Sequence, residues 1–181
     1  MIITLRKTAV GGHRVTARRA DGVSVFVDAS DHPHRVPHEL AHYAIERELG
    51  LEWGFWGCVS RGALFRGMTV LDGMAEGAAA ELSAEVRGRA GSRFDSAEVL
   101  VAALEEVFAH HRDLMPQAKR DKMVELQPVL ADAPLQRLDL DRLAAIVDEA
   151  ARTWGELPRD AQVDVVWSPA PSAVDAPGGR S

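Results

Sequence analysis

The chain has a single cysteine, Cys58, in 181 residues. No internal disulfide can form and no multi-cysteine zinc site exists, which suits a reducing compartment. Long apolar runs are missing too: no stretch approaches the roughly eighteen consecutive apolar residues of a membrane span. The start, Met1-Ile2-Ile3-Thr4-Leu5-Arg6-Lys7, does not set a charged segment before a long apolar one, as a signal peptide would. Positive charge is in deficit. A formal net charge of −6 argues against nucleic acid or an anionic membrane as the main partner. The local arginine clusters (Arg14, Arg18, Arg19 and Arg87, Arg89, Arg93) read as solvated faces. There is no P-loop, no GxGxxG after a strand and no internal repeat, so nucleotide binding has no motif behind it. These absences together point to a cytoplasmic protein that binds neither nucleic acid nor membrane.

What is present suits a globular fold. With 46% hydrophobic and 27% charged residues the chain can bury a core, which rules out wholesale disorder. The length suits one domain. The reading is a single α+β domain over 1–167, followed by a disordered tail over 168–181 that carries three prolines and two glycines.

The first thirty residues predict a three-stranded antiparallel meander. Residues 2–9 are rich in β-branched side chains, Gly11-Gly12 marks a turn, and residues 13–20 alternate. Asp21-Gly22 is a strong hairpin signal before the alternating Val23-Ser24-Val25-Phe26-Val27. Helical spacing then predicts five helices. The first runs over about 37–49, with Pro37 in its first turn and Gly50 just past its end. The Trp53-Gly54-Phe55-Trp56-Gly57 segment reads as an aromatic loop. A helix follows from about 69–72 to 90, closed by Gly91. Asp95-Ser96-Ala97-Glu98 resembles a capping box opening the next. Pro116 starts another, and Asp139 caps a last one closed by Gly155. Residues 162–167 predict a final strand that joins the N-terminal sheet. The architecture expected is thus α+β: a small antiparallel sheet packed by four or five helices.

One segment carries specific chemistry: His38-Glu39-Leu40-Ala41-His42. Histidines four apart on a helix lie one turn above each other on the same face. Two imidazoles so placed can converge on one zinc ion at roughly 2.0–2.1 Å. Glu39 sits about 100° away around the helix and can reach a water on the metal. Leu40, Ala41, Tyr43, Ala44 and Ile45 carry no charge, as suits a buried helix.

The segment resembles the HExxH zincins, specifically their gluzincin-like group, over about residues 38–85. That resemblance implies a zinc-dependent metallohydrolase acting on peptide or amide bonds of a peptide or protein substrate. It also implies His38 and His42 as ligands, Glu39 as general base, and a glutamate from a later helix as third ligand. Glu76, flanked by Ala75 and Gly77, is the first choice for that ligand and Glu81 the alternative. Glu46, Arg47 and Glu48 fill the stretch where a metzincin would place a third histidine. Proline directly before the motif departs from the family pattern. The rival reading is a non-catalytic interaction or scaffold protein in which the same helix is structural.

The remaining candidates read as bland. His32 and His34 sit just upstream and could supply a ligand or a transient site but read as exposed loop histidines, and His110 and His111 read as stabilising the negative end of a helix. Cys58 reads as a small buried hydrophobe. Trp53, Phe55 and Trp56 read as packing against the neighbouring helix.

Overall fold

The computed structural model describes residues 1–9, 11–30 and 36–168. His32, His34 and nearly all of the expected tail lie outside the described residues. Among those described, no helix is long and apolar enough to cross a membrane.

Alternation sets the sheet. Strands β1 (Ile2–Lys7), β2 (His13–Arg18) and β3 (Ser24–Ala29) form the expected meander. Strand β5 (Gln162–Val166) joins that sheet, as predicted, by pairing antiparallel with β1. A fourth strand, β4 (Thr69–Asp72), pairs with β3, giving one antiparallel sheet in the order β4-β3-β2-β1-β5. This corrects the helix expected to begin there. Val70 sits opposite Val25, and Gly73, at φ 89°, turns the chain away before the helix starts.

One sheet face buries Ile3, Leu5, Val15, Ala17 and Val25, while the other carries Arg14, whose Nε and Nη2 donate to the two oxygens of Asp28. Arg19 departs from the solvated reading. It is buried at the β2–β3 hairpin and bonds Asp21, whose Oδ1 also accepts the Val23 N–H. The Arg19 hydrogen bond holds the Asp21 carboxyl below its ordinary value. A carboxyl depressed on folding stabilises the fold above its unfolded value, and that contribution is lost as pH falls through the folded one. Asp21→Asn is therefore expected to cost about 1 kcal/mol at pH 7, modest because Asp21 is half-exposed. Relative to wild type, the deficit should start to shrink in acid melts below pH ~4 and vanish only below the depressed folded value.

Among the described residues, six α-helices cover the inner face and build a second core: α1 (His38–Leu49), α2 (Phe55–Arg61), α3 (Glu76–Ala90), α4 (Ser92–His110), α5 (Pro116–Leu126) and α6 (Leu140–Glu156). The helix beyond expectation is α2, in place of the aromatic loop. Two short 3-10 turns, Pro128–Asp132 and Leu135–Arg137, join α5 to α6. Helix α4 begins at Ser92 directly after Gly91, so Asp95-Ser96-Ala97-Glu98 lies inside it and caps nothing. Asp139 does cap α6, accepting the Arg142 N–H at 3.0 Å, but that helix runs one residue past Gly155.

Helix α1 is the hinge between the two cores. Leu40 packs with Trp56, Val59 and Trp154 onto the sheet, while Ile45 packs with Val101, Leu104, Met123 and Leu143. Its start uses Pro37, whose carbonyl accepts the Leu40 and Ala41 N–H groups. Its end is a Schellman turn: Gly50 is left-handed at φ 64° and Leu51 N–H bonds the Glu46 carbonyl at 2.9 Å. Both ends and both sides of the motif helix are therefore fixed.

Candidate metal centre

The turn spacing of α1 stacks His38 over His42, with their Nε2 atoms 3.1 Å apart. Glu98, on α4, brings Oε1 to 3.6 Å from His42 Nε2. The three ligand atoms lie within 4.8 Å of one another, and among the described residues this is the one such group. Ligands around a tetrahedral zinc at the usual bond lengths stand about 3.3 Å apart. The Nε2 pair and the Glu98 contact bracket that spacing.

Glu76 and Glu81 do not join this group. Both lie on the exposed face of α3, as does Glu85. The carboxylate beside the histidines comes instead from α4. Its Oε1 is buried and makes no hydrogen bond among the described residues. Such an orphan acceptor costs on the order of 1–3 kcal/mol unless something fills it, and a cation would. Burial also raises the Glu98 carboxyl above its ordinary value.

The outer side of each imidazole is also occupied. His42 Nδ1 lies 2.8 Å from Glu46 Oε1, and His38 Nδ1 lies 2.8 Å from Glu105 Oε2. A carboxylate behind Nδ1 orients the ring and turns the Nε2 lone pair toward a metal. Between two Nε2 atoms 3.1 Å apart there is room for one proton or one cation. Burial pushes His42 down to about 4, so it stands neutral, the form that ligates. His38 is the exposed member, and its Glu105 hydrogen bond raises it above its ordinary value.

Glu46 is fully buried and does a second job. Its two oxygens accept the Phe55 and Trp56 N–H groups at 2.6 and 3.0 Å, at the start of α2. Burial pushes this carboxyl up to about 8 against those donors. Gly54 makes the cap fit, since a Cβ there would meet the Glu46 carboxyl carbon.

Glu39 points elsewhere. Its Oε2 lies 3.1 Å from Nε2 of His13 on β2, a buried residue. Burial alone would raise Glu39, but the His13 hydrogen bond, its own backbone N–H and the charges of His13 and His38 hold it below the ordinary value. Both His38 and His42 feel the charge of Glu39. Trp56 Nε1 donates to the Glu39 carbonyl at 2.8 Å, so the aromatic segment packs against α1 as read. Cys58 is fully buried, and burial pushes its thiol up to about 11, which leaves no nucleophile.

Glu98, Glu105, Glu46 and His13 were absent from the sequence-level site. A signal existed for two of them: Glu98 and Glu105 are seven apart, two turns along one face of α4, with small Ala102 between them. Beside them, a cleft of about 410 Å3 opens onto His38 and Glu105, floored by Val36, Phe108 and Val147. No protein-family model matches the chain, and neither does any curated protein or solved structure.

Proposed function

We propose that this chain binds one zinc ion through His38, His42 and Glu98 and uses it to hydrolyse peptide or amide bonds. The observation that carries the metal reading is the convergence of two imidazole Nε2 atoms and an unpartnered buried carboxylate oxygen, each imidazole backed by a carboxylate. The donor set, two nitrogens and one oxygen, is that of a catalytic zinc site, which keeps its fourth position open. Bound there, the ion supplies Lewis acidity toward a carbonyl.

The chain's own residues do the rest. Glu39 accepts a proton from the water whose oxygen attacks the carbonyl carbon. The C–N bond then breaks and the proton passes to the leaving amine. The cleft beside His38 gives an exposed approach for substrate. The zinc and hydrolase assignments rest on the HExxH resemblance together with this geometry.

Zinc measured by elemental analysis after dialysis of tag-free protein is expected at about one per chain, as tetrahedral three-residue sites hold a single ion. In chelator competition, Glu98→Gln should weaken affinity about tenfold or more. Glu76→Gln and Glu81→Gln should match wild type. Loss of affinity in Glu76→Gln with none in Glu98→Gln would return the third ligand to α3.

The scaffold reading draws on one observation, the Glu39–His13 bond, which ties α1 to the sheet whether or not a metal is present. A wild-type protein that stays metal-free in excess zinc, with an unchanged melting temperature, would favour it.

A further inference from the structure

We propose that His13 is a positioning residue that holds the carboxylate of Glu39 in place for its role as base. This inference rests on the hydrolase reading above. Among the carboxylates of α1 and α4, the two helices that carry the candidate ligands, four lie against His13, His38 or His42. Glu46 and Glu105 bond the outer nitrogens of the two histidine ligands, and Glu98 faces the ligand cluster. Glu39 is the fourth, and its imidazole partner lies outside the ligand set and on a different element.

His13 opens β2, where its backbone sits opposite Lys7 of β1 and Ala29 of β3. Its ring is 2% exposed and meets the edge of Trp154 at 5.4 Å between centroids. A ring packed in this way has one orientation to offer, and it offers Nε2 to Glu39 at 3.1 Å. The base is then oriented by a third group, the arrangement that activated sites repeat. Without it, a glutamate in the first turn of a helix regains side-chain freedom.

Backbone and side chain of Glu39 are held separately. Trp56 fixes its carbonyl and His13 its carboxylate. Removing the His13 contact therefore releases the carboxylate while the helix start stays anchored, which separates positioning from folding. His13 is not one of the three proposed ligands, so zinc affinity should depend on it little.

The test uses zinc-loaded full-length protein and 4-nitrophenyl acetate as the probe. It compares wild type with His13→Gln, long enough to donate to Glu39, and His13→Asn, too short to reach. His13→Asn is expected to lower kcat about tenfold or more, with KM and zinc affinity within about twofold of wild type. His13→Gln should recover most of the loss. Equal kcat in wild type and both variants overturns the inference and leaves the hydrolase reading standing. So does an equal loss in the two variants, or a zinc affinity that falls in step with kcat, since either marks a merely structural role. A zinc-loaded wild type that does not turn over the ester at all overturns the hydrolase reading itself, and this inference with it.

Discussion

Glu39→Gln is expected to keep its zinc and lose hydrolysis by about two to four orders of magnitude, the range that a positioned general base supplies. The amide is nearly isosteric with the carboxylate and can still accept a hydrogen bond from His13, so the first turn of α1 and both histidine ligands stay in place. What it cannot do is take a proton from water. Its partners hold Glu39 ionised at neutral pH despite its burial, the state a base requires. Zinc content by elemental analysis and turnover of peptide, amide and ester substrates read the two properties separately. Equal turnover in Glu39→Gln and wild type would remove Glu39 from the mechanism. Loss of zinc along with turnover would make it a structural residue.

Glu46→Ala should have the largest effect on stability. The substitution leaves the Phe55 and Trp56 N–H groups and His42 Nδ1 without their shared acceptor, all in a region where Glu46 and Trp56 are fully buried. Each stranded polar group costs on the order of 1–3 kcal/mol. Relief from burying the carboxyl offsets part of that, as it does for any buried ionisable group. A net cost of about 3–5 kcal/mol is expected, against a typical total of roughly 5–15 kcal/mol. For a chain of this size, that lowers Tm by on the order of 10 °C. Glu81→Ala, on the exposed face of α3, should change Tm by no more than about 1–2 °C. Thermal melts without metal isolate the stability effect. In the milder Glu46→Gln, zinc affinity should drop about 10- to 100-fold, because the partner that orients His42 is weakened. A Glu46→Ala protein as stable as wild type would mean that α2 needs no cap.

Much of the fold is legible in local chemistry. Asp21-Gly22 and the alternating residues around it announce the hairpin, Gly50 announces the end of α1, and Asp139 announces the start of α6. These signals act over a few residues, so sequence alone carries them. Two elements are not local. Phe55–Arg61 becomes helical because a carboxylate nine and ten residues upstream caps it, and because Gly57 packs its backbone against the Glu52 carbonyl. Thr69–Asp72 becomes a strand because β3 offers it an edge. Neither cause is visible in the segment's own composition.

The site divides the same way. His38, Glu39 and His42 are set by one helix turn and can be read from spacing. The third carboxylate depends on which helix crosses α1. Glu76 and Glu81 looked suitable among alanines and glycines, but small residues mark only where a helix can approach. Helix α3 packs by way of Ala79, Ser83 and Val86, and its glutamates face outward. Helix α4 packs on α1 instead and brings Glu98 and Glu105 to the two histidines. His13 is further still from any local signal, since only the sheet register brings β2 beneath the first turn of α1.

The most direct test of the central claim is an anomalous difference map at the zinc edge from crystals grown with one equivalent of zinc. The account predicts one strong peak about 2.0–2.1 Å from Nε2 of both His38 and His42 and a similar distance from a carboxylate oxygen of Glu98. No peak between the two histidines, or a peak whose third ligand comes from Glu76 or Glu81, would contradict it.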